Sequence, residues 1–229
     1  MTADRSITIL PRYEPTRFTE DGQRLYGTPV GRCYSVTTIL DGSRDNSGIE
    51  EWRESVGEQR ADFILSRAQH RGTRHHESIE LFLRDGVEPS FCFLNTPYWK
   101  SVRPFLDTVD RHLLLEGAVW HPDGYAGTLD CIAYLSQDGE QPTLLDWKTA
   151  DSIRKPNKMY EYGLQCAAYA NAANYVYAHQ GLAIHQAKVV VAIPDEKPQI
   201  ETYDADALSQ LYKHFLARLQ RFTYAKSKR

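Results

Sequence analysis

The sequence predicts an α/β fold, a central mixed β-sheet flanked by helices with a helical addition on its N-terminal side, and three observations carry that reading. Two β-prone apolar runs, residues 128–135 and 143–147, flank the polar turn Ser136-Gln137-Asp138-Gly139-Glu140 and so read as a hairpin. Residues 188–194 (KVVVAIP) form the most strand-like run of the chain, as expected of a buried central strand. Helical periodicity fills residues 49–83, 158–178 and 204–222. The order of helices, three strands, helix, strand and helix belongs to the α/β class.

Each element has a local justification. Residues 1–30 hold Pro11, Pro15 and Pro29 with no sustained periodicity and predict an irregular arm. Residues 33–40 are β-prone, yet read equally as a short strand leading into a helix N-terminus capped by Ser35 or Thr37. Between 49 and 83, Trp52, Val56, Phe63, Ile64, Ala68, Ile79 and Phe82 recur among helix-forming polar residues, with Gly72 the expected point of division. Residues 89–96 read as a loop, and 98–112 as a helix with Pro104 against its regularity. Residues 113–120, 125–135 and 143–147 then make a three-strand meander through the turn His121-Pro122-Asp123-Gly124. Residues 199–203 suit a short edge strand, and 204–222 an amphipathic helix on Leu208, Leu211, Phe215, Leu216 and Leu219. A single domain over 1–229 is expected, divided into the arm, a mainly helical part over 31–112 and an α/β core over 113–222.

With 41% hydrophobic and 25% charged residues among 229, the chain can bury a core and does not read as disordered. No apolar run approaches the roughly 18 to 20 residues of a membrane span, and the N-terminus lacks the layout of a secretory signal, so no membrane and a cytoplasmic location are expected. Cys33, Cys92, Cys131 and Cys166 are scattered without a Cys-x-x-Cys pair, which points to reduced, mostly buried thiols. A formal charge of −3 argues against coating nucleic acid with the whole surface but leaves room for a local basic channel. Arg67, Arg71 and Arg74 form one basic group; Arg154, Lys155 and Lys158 form a second; the tail carries Arg218, Arg221, Lys226, Lys228 and Arg229. Each group also fits an ordinary solvated face.

The chemistry concentrates in residues 127–148. Strand alternation points Asp146 and Lys148 to one face, and Asp130 in the preceding run converges with them. Two carboxylates supply hard oxygen ligands for Mg²⁺ or Mn²⁺, and the ammonium can orient a water or neutralise charge on a phosphate. An Asp-x-Lys triplet alone is common and usually ends in solvent or an ion pair. Here it directly follows Thr143-Leu144-Leu145, where a buried strand should end at a sheet edge, a place where ionisable groups are often functional. His76 and Glu80 stand one helical turn apart, with His75 alongside as an alternative to His76; Gln165 and Tyr169 share a face of the later helix; Glu116 alternates with apolar neighbours and points either at the same site or at water.

Taken in chain order, Ser35-Val36-Thr37-Thr38-Ile39-Leu40, Gly72-Thr73-x-x-His76-x-x-x-Glu80, Glu116, Gly127-Thr128-Leu129-Asp130, Asp146-Trp147-Lys148-Thr149 and Gln165-x-x-x-Tyr169 resemble the PD-(D/E)XK nuclease superfamily, in particular its RecB-like exonuclease branch. The resemblance runs from about residue 34 to 169. It departs from the superfamily name in two places: Leu129 stands where the name has proline, and the second acid is Asp146.

The resemblance implies a restriction-endonuclease-like core and a metal-dependent DNA exonuclease acting on single strands or ends in replication, repair or recombination, in a bacterial or phage-infected cell. It assigns Asp130, Asp146, His76 and the carbonyl of Trp147 to one or two Mg²⁺ or Mn²⁺ ions, and catalysis to Lys148 with Asp130 and Asp146. Gln165 and Tyr169 would position the site and contact the strand, with Glu116 and Glu80 in support. Arg67, Arg71, Arg74, Lys155 and Lys158 would line the path of DNA, with Tyr160 or Tyr162 stacking on unpaired bases. The flanking cysteines of an iron–sulfur cluster are lacking, so none is expected, and a monomer is the default. A flap or junction endonuclease with the same site, and a non-catalytic subunit binding DNA or protein, are the alternatives.

Overall fold

A computed structural model describes residues 9–90 and 95–228. It is an α/β molecule with one mixed eight-stranded sheet and helices on both faces. The chain opens with β1 (Thr16–Glu20), β2 (Gln23–Thr28) and β3 (Gly31–Ser35). Much of the arm expected to be irregular is therefore sheet. Its prolines stand outside these strands, and the turn at Asp21 and Gly22, both with positive φ, closes a hairpin that the periodicity of so short a stretch does not reveal.

Residues 33–40 take both of the roles read for them. β3 ends at Ser35, whose hydroxyl accepts from the Thr38 amide and starts α1 (Val36–Ser43). The long helical region is then divided at Gly57 (φ +84°), not at Gly72, into α2 (Ser47–Val56) and α3 (Glu58–Asp85). Gly72 stays inside α3, where a glycine weakens a helix by only about 1 kcal/mol, and the buried residues His75 and Ile79 follow it. α4 (Thr96–Leu106) is shorter than expected, and the residues assigned to its end belong to β4 (Val109–His121). β5 (Tyr125–Leu135), β6 (Thr143–Thr149), α5 (Pro156–Val176), β7 (Gln186–Ala192), the edge strand β8 (Gln199–Tyr203) and α6 (Ala205–Ser227) follow close to the expected order. Cys33, Cys131 and Cys166 are buried free thiols, whereas Cys92 lies outside the described residues.

The sheet runs β1-β2-β3-β5-β6-β7-β8, with β4 on the other edge of β5. β3–β5 and β6–β7 are parallel and the remaining pairs antiparallel. α1, α5 and α6 cover one face in a core that includes Ile39, Leu164, Phe215, Leu144 and Val189. α3 and α4 cover the other, with Ile79, Val102, Leu145, Trp147 and Val190. As expected of a buried central strand, every residue of β7 from Ala187 to Ala192 is buried.

One irregularity positions the site. On one edge β5 pairs with β3 only through Tyr34–Tyr125 and Ser35–Ala126, and with β6 only from Cys131–Leu145 onward. Residues 127–130 have no ladder partner on that edge among the described residues. Leu129 and Cys131, two apart, would share a face in a regular strand, yet they pack in different cores. The pleat therefore slips at Asp130, and across β4 the register puts Glu116 opposite it with φ +46°.

Candidate active site

The opening between β5 and β6 gathers ionisable groups from four elements. On β6 the regular pleat sends Leu145 and Trp147 to the α3–α4 core and Asp146 and Lys148 to the other face, as alternation predicts. Lys148 Nζ stands 2.5 Å from Asp146 Oδ2. Asp146 is 1% exposed, and beyond its contact with Lys148 its Oδ1 has no hydrogen-bond partner among the described residues, which leaves acceptor capacity in a buried carboxylate. Asp130 on β5 is also buried, and its Oδ2 accepts the Trp147 amide at 2.8 Å.

α3 supplies the imidazole. Adjacent histidines on a helix project about 100° apart, and the two are used differently. His75 is buried, its Nε2 unpaired, and burial pushes its pKa down to about 3. His76 reaches the sheet end: Nε2 is 2.8 Å from the Trp147 carbonyl oxygen, while Nδ1 is 3.4 Å from Asp130 Oδ1 and 3.6 Å from Glu116 Oε1. Of the two neighbours, His76 faces Glu116 and Asp130, while His75 is buried away from them. One ligand atom each from His76, Glu116 and Asp130 lie within 4.8 Å of one another.

Charge is crowded here. Burial raises Asp146 to about 6 against the pull of Lys148. Burial also raises Glu116. For His76 burial acts downward, but the charge of Asp130 and hydrogen bonding to Asp130 and Glu116 push it up to about 10. Burial would raise Asp130, yet His76 holds it below the usual carboxylate range. Lys148 is raised in spite of burial, chiefly by Asp146 and Asp130. Asp146, expected among the metal ligands, stands paired with Lys148 outside the group formed by His76, Glu116 and Asp130. The two carboxylates of that group, with Asp146 buried nearby, gain from a cation. The donors are carboxylate oxygens, an imidazole nitrogen and, if its second lone pair is used, the Trp147 carbonyl. That set fits Mg²⁺ or Mn²⁺, and the remaining acceptor capacity of Asp146 fits it as well.

α5 closes the other side. Tyr162, Gln165 and Tyr169 share one helical face at i, i+3 and i+7, and Gln165 Nε2 lies 3.4 Å from the Tyr169 hydroxyl. Tyr169 packs so tightly on β5 that a Cβ at Gly127 would come within 2.6 Å of its ring, which gives Gly127 a physical reason. The Tyr162 ring lies 5.3 Å from Lys148 Nζ and 5.2 Å from Lys158 Nζ. Burial, followed by Arg44 and Arg154, lowers Lys158.

Other residues singled out in the sequence fall differently. Glu116, expected in support, is a member of the cluster itself. Glu80 is held by Arg12 at 2.8 Å and Arg84 at 3.3 Å. Arg71 bonds to Thr149 Oγ1 at 3.2 Å and Asp151 at 3.1 Å and lies over the Tyr98 ring, while Arg67 lies over Phe63 and Arg74 and Lys155 are exposed. Tyr160 bonds to His214, and Arg218 of the basic tail clamps α6 to Glu161 and to the Leu40 carbonyl, a structural use. Tyr162, one of the two tyrosines expected to stack on unpaired bases, lies beside Lys148 and Lys158; the hold of Tyr98 and Asp151 on Arg71 is one that no spacing in the sequence indicates. No helix is long and apolar enough to cross a membrane among the described residues. Neither the models of known protein families nor the curated proteins match this chain.

Proposed function

We propose that the protein is a divalent-metal-dependent deoxyribonuclease, a DNA exonuclease on a restriction-endonuclease-like core of the PD-(D/E)XK superfamily. The observation that carries this reading is the meeting of His76, Glu116 and Asp130 with the Asp146–Lys148 pair at the point where β5 and β6 part. Mg²⁺ or Mn²⁺ held by these carboxylates and His76 would polarise a phosphodiester and acidify a water. Lys148, kept as an ammonium by Asp146, orients that water or neutralises charge gathering on the phosphate. Tyr162 holds Lys148 in place, and Gln165, bonded to the Tyr169 hydroxyl, closes the α5 side; Tyr169, expected to contact the strand, is buried against β5 and serves to position Gln165. Removal of nucleotides from DNA ends serves replication, repair or recombination.

The test is cleavage of end-labelled single-stranded and duplex DNA with Mg²⁺, Mn²⁺ or EDTA, comparing the native protein with Lys148→Ala and Asp146→Asn. Degradation that needs the metal and is lost in both variants is expected. The label position gives polarity, and internal products would indicate an endonuclease. If the native protein retains DNA but leaves every substrate intact, the catalytic reading fails and a DNA-binding subunit takes its place.

A further inference from the structure

Of His76, Glu116 and Asp130, Glu116 alone has its backbone in the left-handed region, at φ +46°. A residue other than glycine stays there only where its surroundings over-determine it. On one edge of β4 the register to β5 stands on both sides of Glu116, through Leu115–Cys131 and Gly117–Leu129. On the other edge no strand pairs among the described residues, and residues 10–13, part of the arm that precedes β1, lie along it. The Leu10 amide donates to the Leu113 carbonyl at 2.8 Å, and the Ala118 amide donates to the Tyr13 carbonyl at 3.4 Å. These two bonds bracket Glu116, three residues before it and two after.

The segment is seated on the core. Leu10 is buried, the Pro11 carbonyl accepts the hydroxyl of Tyr177 at 2.9 Å, and the Tyr13 ring lies 5.3 Å from that of Trp120 and 5.7 Å from that of Tyr177. Tyr177 and Trp120 are themselves buried. The Arg12 side chain goes the other way, to Glu80 at 2.8 Å, but it is 44% exposed, and an ion pair of that kind contributes little. What bears on the metal-ligating group is therefore the pair of backbone bonds, through the turn of β4 that they hold. Freed on that edge, Glu116 would relax to negative φ, and its carboxylate would swing away from His76 Nδ1, which it meets at 3.6 Å.

We propose that residues 10–13 are a positioning strap, which closes the free edge of β4 on both sides of Glu116 and so holds the strained backbone that presents its carboxylate to the metal ion, with Tyr13 as the residue that seats it. The strap rests on the reading of His76, Glu116 and Asp130 as a metal site and goes beyond it, since it supplies no ligand and acts through Glu116.

The experiment is calorimetric titration of Mn²⁺ into the full chain, at a temperature where circular dichroism finds every variant folded. Tyr13→Ala should bind Mn²⁺ about tenfold more weakly than native protein, the lower end of the loss that follows removal of a group behind a metal ligand, and Tyr13→Phe should restore native affinity. Arg12→Gln should stay within about twofold of native. The deciding comparison is Glu116→Gln with and without Tyr13→Ala. A strap that acts through Glu116 has nothing left to position once that carboxylate is gone, so the two losses should not add. Native affinity in Tyr13→Ala overturns the proposal, and so does a loss that adds in full to that of Glu116→Gln, the mark of a general packing defect. Should Tyr13→Ala not fold, Tyr177→Phe carries the test, because it removes the bond to the Pro11 carbonyl and keeps the ring. A loss of roughly twofold or more, absent in the Glu116→Gln background, is then expected, and native affinity overturns the proposal. If native protein takes up no Mn²⁺, the metal reading falls and the strap with it; if native protein and Tyr13→Ala bind Mn²⁺ alike, the strap alone falls. Strap-dependent Mn²⁺ binding by a protein that leaves DNA intact would defeat the nuclease reading alone.

Discussion

The Trp147 amide donates to Asp130 Oδ2 across 2.8 Å just where the β5–β6 ladder has ended, so a side chain stands in for a backbone acceptor. Asp130 thus braces the parted strands and also belongs to the metal-ligating cluster, and the two roles can be separated by substitution. Asp130→Asn keeps an acceptor oxygen but loses the charge. Asp130→Ala leaves a buried N–H unpaired, at a cost of about 1–3 kcal/mol. Urea unfolding should find the alanine variant less stable than the asparagine variant by about that amount, while calorimetric titration finds Mn²⁺ binding lost in both.

Glu116 and Glu80 form a matched contrast. Glu116 shares the His76–Asp130 cluster, whereas Glu80 is tied to Arg12 and Arg84. Glu116→Gln is expected to weaken Mn²⁺ binding at least tenfold, a loss comparable to that of removing an outer-shell partner in known metal sites. Glu80→Gln should bind Mn²⁺ within about twofold of native. Equal titration curves for all three proteins would remove Glu116 from the metal shell.

In the proposed reaction Tyr162 acts through Lys148, whose Nζ lies 5.3 Å from its ring. Loss of its ring removes a cation–π contact of about 0.5–2 kcal/mol, so Tyr162→Leu should lower kcat roughly 2- to 30-fold with KM little changed, and Tyr162→Phe should restore it. Steady-state kinetics of the two variants decide the matter, since a general packing defect would move both constants.

His75 makes stability depend on pH. Its pKa is about 3 in the fold and about 6.5 when unfolded, so the unfolded chain takes up the proton first as pH falls. The stability associated with keeping it neutral is whole above about pH 6.5 and is lost progressively toward pH 3. Asp146, raised to about 6, works in the opposite sense, and a difference measurement cancels it. Denaturation in EDTA at pH 7.5 and pH 5 should show native protein losing about 2 kcal/mol more than His75→Phe. Parallel losses would show that His75 does not contribute.

The elements that were legible in the sequence are those whose pattern is long or local: the β5–β6 hairpin, the apolar β7, and the pairing of Asp146 with Lys148 by simple alternation. What escaped depends on contacts between distant segments. The β1–β2 hairpin has only partial burial to announce it, and the break falls at Gly57, which takes φ +84°, and not at Gly72, a difference that composition and periodicity do not encode. The central place of Glu116 arises from a positive φ and a slipped pleat, which no periodicity encodes. Asp130 was found from its neighbours Asp146 and Lys148, but its hold on the Trp147 amide follows from the parting of two strands and not from any spacing.

Because α3 runs unbroken through Gly72 for 28 residues, about 42 Å, it works as a rigid ruler. Phe63 and His76 are graduations on the same rod, 13 residues or roughly 20 Å of axial rise apart. Whatever spans both is measured by covalent length and not by the closing of a loop. A residue inserted into a loop would be absorbed, but one inserted between Arg71 and His76 would turn the imidazole about 100° around the axis and advance it about 1.5 Å, mis-setting the scale at every turn beyond.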